Sequence, residues 1–141
     1  MEIVKWTALF LSLGINSISD LKSRKIILSV TVLGGVFGII WQLMLPAKDY
    51  TDFLGGILIG VIALGISKVT SEAVGYGDGL IIIMCGIWLG GKNNLLLCVM
   101  GIILAGIWAV ILVVFFRKKR NYEIPFVPFL FLGLVWMRCI S

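Results

Sequence analysis

Apolar residues run along this chain in long blocks separated by short clusters of charge, glycine or proline. Blocks bounded by such signals predict helices near residues 3–19, 26–45, 53–69, 74–91, 95–116 and 124–140. A helix that crosses a bilayer needs about 20 apolar residues, with a range of roughly 17–25, and the blocks approach that length. The pattern therefore predicts an all-α, polytopic membrane helix bundle of about six transmembrane helices, a single domain over residues 1–141. Short loops make consecutive helices antiparallel neighbours. Gly34 and Gly38, Gly56 and Gly60, and Gly86 and Gly90 each lie four apart, a spacing that puts small residues on one helix face and favours close packing.

Composition sharpens this. Of 141 residues, 60% are hydrophobic and 13% charged, more apolar surface than one soluble core of this size can hide. Histidine is absent, which excludes histidine acid/base chemistry, Ser-His-Asp triads and the usual zinc sites. Cys85, Cys98 and Cys139 stand singly in apolar runs and are expected to be small buried hydrophobes. The net charge of +5 is densest at Arg117-Lys118-Lys119-Arg120, directly after an apolar run. That placement points to a span anchored beside anionic membrane lipid and not to nucleic acid.

Residues 1–19 carry Glu2 against Lys5, have no small-x-small cleavage site and precede further spans. They are expected to be a retained first helix and not a signal peptide. With both termini outside, the inner loops hold Lys22, Arg24, Lys25, Lys68, Arg117, Lys118, Lys119 and Arg120, against Lys5, Lys48, Lys92 and Arg138 outside. The bias favours that orientation under the positive-inside rule. Asp20 and Asp78 then fall at cytoplasmic helix ends.

The fourth block singles out Asp78. Its uninterrupted apolar part, residues 80–91, is too short to cross a bilayer. Extending it back to residue 74 takes in Gly75-Tyr76-Gly77-Asp78-Gly79 and puts Asp78 about one turn, on the order of 6 Å, inside the helix. An intramembrane carboxylate is costly and calls for a partner. Asp20, after the first span and before Lys22, is that partner. Glu2, Asp49 and Asp52 fall on the opposite side, and Glu72 and Glu123 lie nearer loops. Two carboxylates held together share a proton, leaving one as base and the other as acid. That pair can hydrolyse a peptide without metal or organic cofactor. Gly75, Gly77 and Gly79 permit unusual backbone angles and close approach of a substrate backbone. The bland reading stands beside this one: a glycine loop with Asp78 as a solvated cap and Asp20 as an interfacial residue.

Three segments resemble the type IV prepilin leader peptidases and their preflagellin relatives, within the GxGD class of membrane aspartic peptidases. Gly75-Tyr76-Gly77-Asp78 is a complete GxGD motif. Asp20-Leu21-Lys22-Ser23-Arg24-Lys25-Ile26 is similar to the first aspartate motif, and Ile124-Pro125-Phe126-Val127-Pro128-Phe129 to a Pro-Phe-x-Pro-Phe segment. Ile27-Leu28 replaces the family's common Pro-Asn pair, and Gly79-Leu80 stands where a lysine is frequent. The resemblance implies Asp20 and Asp78 as the catalytic pair, with Gly75, Tyr76, Gly77 and Gly79 as motif or substrate-groove candidates. It also implies a prepilin or pseudopilin substrate, whose basic leader is cut at the cytoplasmic face of a prokaryotic cell membrane. The first inner loop is too short for the domain associated with N-methylation, so cleavage without methylation is expected. Tyr76 is otherwise an interfacial tyrosine, Pro125 and Pro128 shape the start of the last helix, and Lys22, Arg24 and Lys25 anchor lipid and topology. Two alternatives remain: a non-catalytic transporter or assembly subunit that binds cations or protons through the same aspartates, and a presenilin-type relative. Asp20 following Ser19, without a tyrosine before it, counts against the latter.

Overall fold

The six apolar blocks become six α-helices in the computed structural model, which describes residues 2–45, 49–70, 75–117 and 123–141. They are α1 (Glu2–Ser23), α2 (Leu28–Leu43), α3 (Tyr50–Val69), α4 (Tyr76–Leu89), α5 (Gly91–Phe115) and α6 (Val127–Ile140), with no strand among the described residues. Lys48, Glu72, Val74, Lys118, Lys119 and Arg120, used above for span and charge, lie outside the described residues.

Helices α3 and α5 are long and apolar enough to cross a membrane, while α2, α4 and α6 are apolar but only 14 to 16 residues long. Large apolar side chains cover the outer surface, among them Leu58 at 57% and Ile102 at 62% exposure. Lipid is the solvent that such a surface requires; this is a membrane protein.

The shortest apolar block forms the centre of the bundle. Nine of the fourteen residues of α4 are buried, because α3, α2, α5 and α1 all pack on it. At about 1.5 Å per residue its length is roughly 21 Å, less than the hydrocarbon thickness of about 30 Å, yet protein surrounds it. Its longest interface is with α3. There Gly56 and Gly86 bring the two backbones together, and a Cβ built on Gly56 would lie 2.8 Å from the Gly86 carbonyl carbon. Gly60 faces Ile83 in the same seam, and Gly34 and Gly38 of α2 face Met84, Ile87 and Trp88. Consecutive α2 and α3 do not share a substantial interface, contrary to the expected pairing of neighbours, because both use their glycine faces on α4.

Polar side chains close the helix ends and cross-link the bundle. Asn16, buried in α1, accepts from the Ile27 N–H (2.8 Å) ahead of α2 and donates to Thr31 (3.1 Å). Asn94 of α5 donates to the carbonyls of Gly56 and Ile82, each at 3.1 Å. The Trp88 indole donates to Gly34 (3.0 Å) and Gln42 donates to the Ile87 carbonyl. Each bond satisfies a group that lipid could not.

Several boundaries differ from the sequence reading. Helix α3 begins earlier, at Tyr50, because Asp49 caps it through the Thr51 and Asp52 N–H groups. The Thr51 hydroxyl also donates to Asp49 and, with those N–H groups, holds its carboxyl below the usual range. Helix α5 begins at Gly91 and not near 95, since Asp52 accepts the Gly91 and Lys92 N–H groups at 3.0 and 3.2 Å. Gly90 alone separates α4 from α5, at φ 80°, so it is a turn residue and not part of a packing pair with Gly86. A side chain there would run into the Asp52 carboxylate. Cys85 and Cys98 are buried as expected, whereas Cys139 is exposed near the end of α6. Asp52→Ala is expected to lower stability by about 1 kcal/mol in a denaturant titration. The surroundings of Asp78 should not change, because Gly90 lies roughly 18 Å along α4 from it.

Candidate active site

Helix α1 runs four residues beyond the expected boundary at Ser19, to Ser23. Asp20 is therefore inside its last turn and not after it. No breaker intervenes: the Ser23 hydroxyl donates to the Ser19 carbonyl and the Arg24 N–H to the Asp20 carbonyl (2.9 Å) before Arg24 turns the chain at φ 55°. Ser12, Asn16 and Asp20, at four-residue spacing, form a buried polar seam along α1. Asp20 is 6% exposed, which replaces the solvated interfacial reading.

What receives this carboxyl is the start of α6. That helix begins at Val127, three residues later than expected, with Pro128 in its first turn. The Val127 N–H donates to Asp20 Oδ2 at 3.1 Å in a buried setting, and the Phe126 N–H and the Arg24 charge also act on this carboxyl. Arg24 pairs with Glu123 at 3.5 Å, both on the exposed side. Phe126 and Leu130 lie against Gly101, so α6 starts about halfway along α5.

Asp78 sits in the first turn of α4, two residues after its start. It is close enough to Asp20 for the two carboxyl charges to interact, although they are 58 positions apart in the chain. Among the described residues, its carboxyl accepts no hydrogen bond. Tyr76 is exposed (57%), in keeping with an interfacial tyrosine.

The glycines of the motif serve differently from the expectation. Among the described glycines only Gly90 has a positive φ, so Gly75, Gly77 and Gly79 are not held in left-handed conformations. They make room. A Cβ on Gly77 would lie 2.8 Å from the Ile26 side chain, one on Gly79 2.6 Å from Leu64, and one on Gly75 3.0 Å from Asp78 Oδ2. Gly77 lets the start of α4 press against the segment after α1, and Gly79 lets it press against α3.

A cavity of about 250 Å³ opens elsewhere, lined by Glu2, Lys5, Trp41, Asp49, Asp52 and Trp88 among others. It gathers the acids that the sequence assigned to the opposite side and contains neither Asp20 nor Asp78. No cluster of three or more metal-ligating side chains occurs among the described residues.

Comparison with protein families matches residues 7–110, well over half of the chain, to the type IV leader peptidase family. The chain belongs to the type IV leader peptidase family. No curated protein and no solved structure matches it. The family match includes both aspartates and the Gly75–Asp78 motif, and it stops before α6. This leader peptidase homologue therefore completes the surroundings of Asp20 with a segment outside the matched region. Sequence reasoning took Ile124–Phe129 as shaping a helix start and missed its N–H donors. The available signal was Pro128, which marks a helix start whose first N–H has no partner inside the helix.

Proposed function

We propose that the protein is an intramembrane aspartic endopeptidase that removes the basic leader of type IV prepilins or pilin-like proteins. What supports this reading is Asp20 in the last turn of α1 and Asp78 in the first turn of α4, near enough for their charges to act on each other, in a chain of the leader peptidase family. One carboxylate takes a proton from water as its oxygen bonds to the scissile carbonyl carbon. The other carboxyl gives its proton to the carbonyl oxygen, and the C–N bond then breaks with a proton passing to the leaving amine. Six spans with both termini outside put this end of the bundle at the cytoplasmic face of a prokaryotic cell membrane. Lys22, Arg24, Lys25, Lys68 and Arg117 support that orientation under the positive-inside rule. A basic leader followed by an apolar helix emerges at that face.

The test is cleavage by purified protein in liposomes. A prepilin-type substrate should be cut once, between leader and apolar helix, with no added methyl mass, and a chelator should leave the rate unchanged. Persistent failure to cut pilin-like substrates, together with proton-coupled ion flux, would replace this reading with the transporter subunit. A rate abolished by chelation would overturn the two-carboxyl mechanism.

A further inference from the structure

The two aspartates are held in unequal ways. Asp20 is buried and its Oδ2 accepts a backbone N–H; Asp78 is less buried, at a glycine-framed helix start, and its carboxyl accepts no hydrogen bond among the described residues.

The donor side of the Asp20 contact follows from the local sequence. Proline has no N–H, so Pro125 and Pro128 leave Phe126 and Val127 as the donors between them. Within α6, the Phe129 and Leu130 N–H groups are taken by the Phe126 carbonyl at 3.0 and 3.2 Å. The Val127 N–H, at the first helical position, has no partner inside the helix and goes to Asp20. Two further contacts pin α6 to α1, Phe10 edge-on to Phe131 (5.9 Å) and Arg138 over Trp6 (5.5 Å), and the flanking residues Arg24 and Glu123 pair at 3.5 Å. The donor is thus carried by a helix fixed along its length.

An oxygen that accepts an N–H is not the one that carries the proton, so Oδ1 is left to exchange it. A backbone donor at a helix N-terminus also suits a carboxylate better than a neutral acid. We infer that the backbone N–H of Val127 is a positioning group for Asp20. The start of α6 fixes this side chain as the proton acceptor of the pair, and Asp78 is the donor. This role rests on the peptidase reading above and deepens it.

The test replaces Val127 by its α-hydroxy analogue, which converts the Phe126–Val127 amide to an ester: it deletes the Val127 N–H and weakens the Phe126 carbonyl as acceptor for Phe129 and Leu130, the second effect being the one the Leu130 replacement below controls for. Because that N–H has no intrahelical partner, α6 should still form. In the liposome cleavage assay kcat should fall roughly 10- to 100-fold, the loss expected for one hydrogen bond to a charged group. KM should stay within about twofold of wild type. The same replacement at Leu130, which removes an ordinary helix bond, should leave kcat near wild type. A Val127 ester with wild-type kcat, or a Leu130 ester that loses as much, overturns the role. Amide exchange gives a second measurement. Val127 should be protected in wild type and in Asp20→Asn, whose amide oxygen still accepts, and unprotected in Asp20→Ala. Fast exchange in wild type overturns the contact itself. If wild type cleaves, Asp20→Asn does not and the Val127 ester is fully active, the peptidase reading stands and the positioning role falls. If wild type cuts no prepilin, both fall.

Discussion

Asp78→Asn is expected to reduce prepilin cleavage by roughly 10²- to 10⁴-fold, the range for losing a positioned acid or base, while the bundle stays folded. The substitution keeps shape and removes only the capacity to exchange a proton. The Asp78 carboxyl accepts no hydrogen bond among the described residues, so no structural side-chain bond is lost with it. The glycines at 75, 77 and 79 that seat the start of α4 are untouched. Substrate binding should survive, so that KM changes little and kcat carries the effect. Asp20→Asn should be equally inactive although its amide oxygen can still accept the Val127 N–H. Asp20→Ala should be inactive and also less stable, because the start of α6 loses its acceptor. Activity in both asparagine variants, with normal yields in the membrane, would remove the two-aspartate mechanism and leave the aspartates as structural residues.

Gly86→Leu should give the largest effect on the fold. Gly86 and Gly56 meet where α4 and α3 come closest, and a Cβ on either runs into the backbone of the other helix. Backbone cannot rotate away as a side chain does. The helices must separate, which breaks the Asn94 bonds to Gly56 and Ile82 and shifts the helix that carries Asp78. A loss of about 3 kcal/mol or more is expected, at the upper end for overpacking, read as unfolding at lower denaturant and as lost cleavage. Gly65 and Gly106 supply the comparison. A Cβ there meets nothing within 4 Å, so alanine at either should leave stability and cleavage near wild type. Equal tolerance of Gly86→Leu would show that the α3–α4 contact does not hold the bundle together.

Spacing and patterning found the helices because lipid leaves a chain few options: each apolar block must satisfy its own backbone bonds, and helices do so. The small-residue faces of α2 and α3 were legible for a similar reason, since four-residue spacing aligns them on one side. Helix ends were less legible. Two of the shifted starts were decided by donors and acceptors, namely Asp49 at α3 and Asp52 at α5, and the Asp52 contact comes from a different helix. Ser12, Asn16 and Asp20 stand four apart in the sequence, but only the structure shows them as one buried seam and what it faces.

The sequence by itself determined that this protein is a bundle of apolar helices with two carboxyls near helix ends, because hydrophobic length and the cost of a buried charge are local properties. Family membership was legible too, since it rests on short motifs in order. Only the tertiary structure decided that α4 is the buried centre, that the motif glycines give room for packing and not unusual backbone angles, and that Asp20 meets the first N–H of α6. Those facts depend on contacts between residues tens of positions apart, and periodicity along one helix says which face is buried but not which partner covers it.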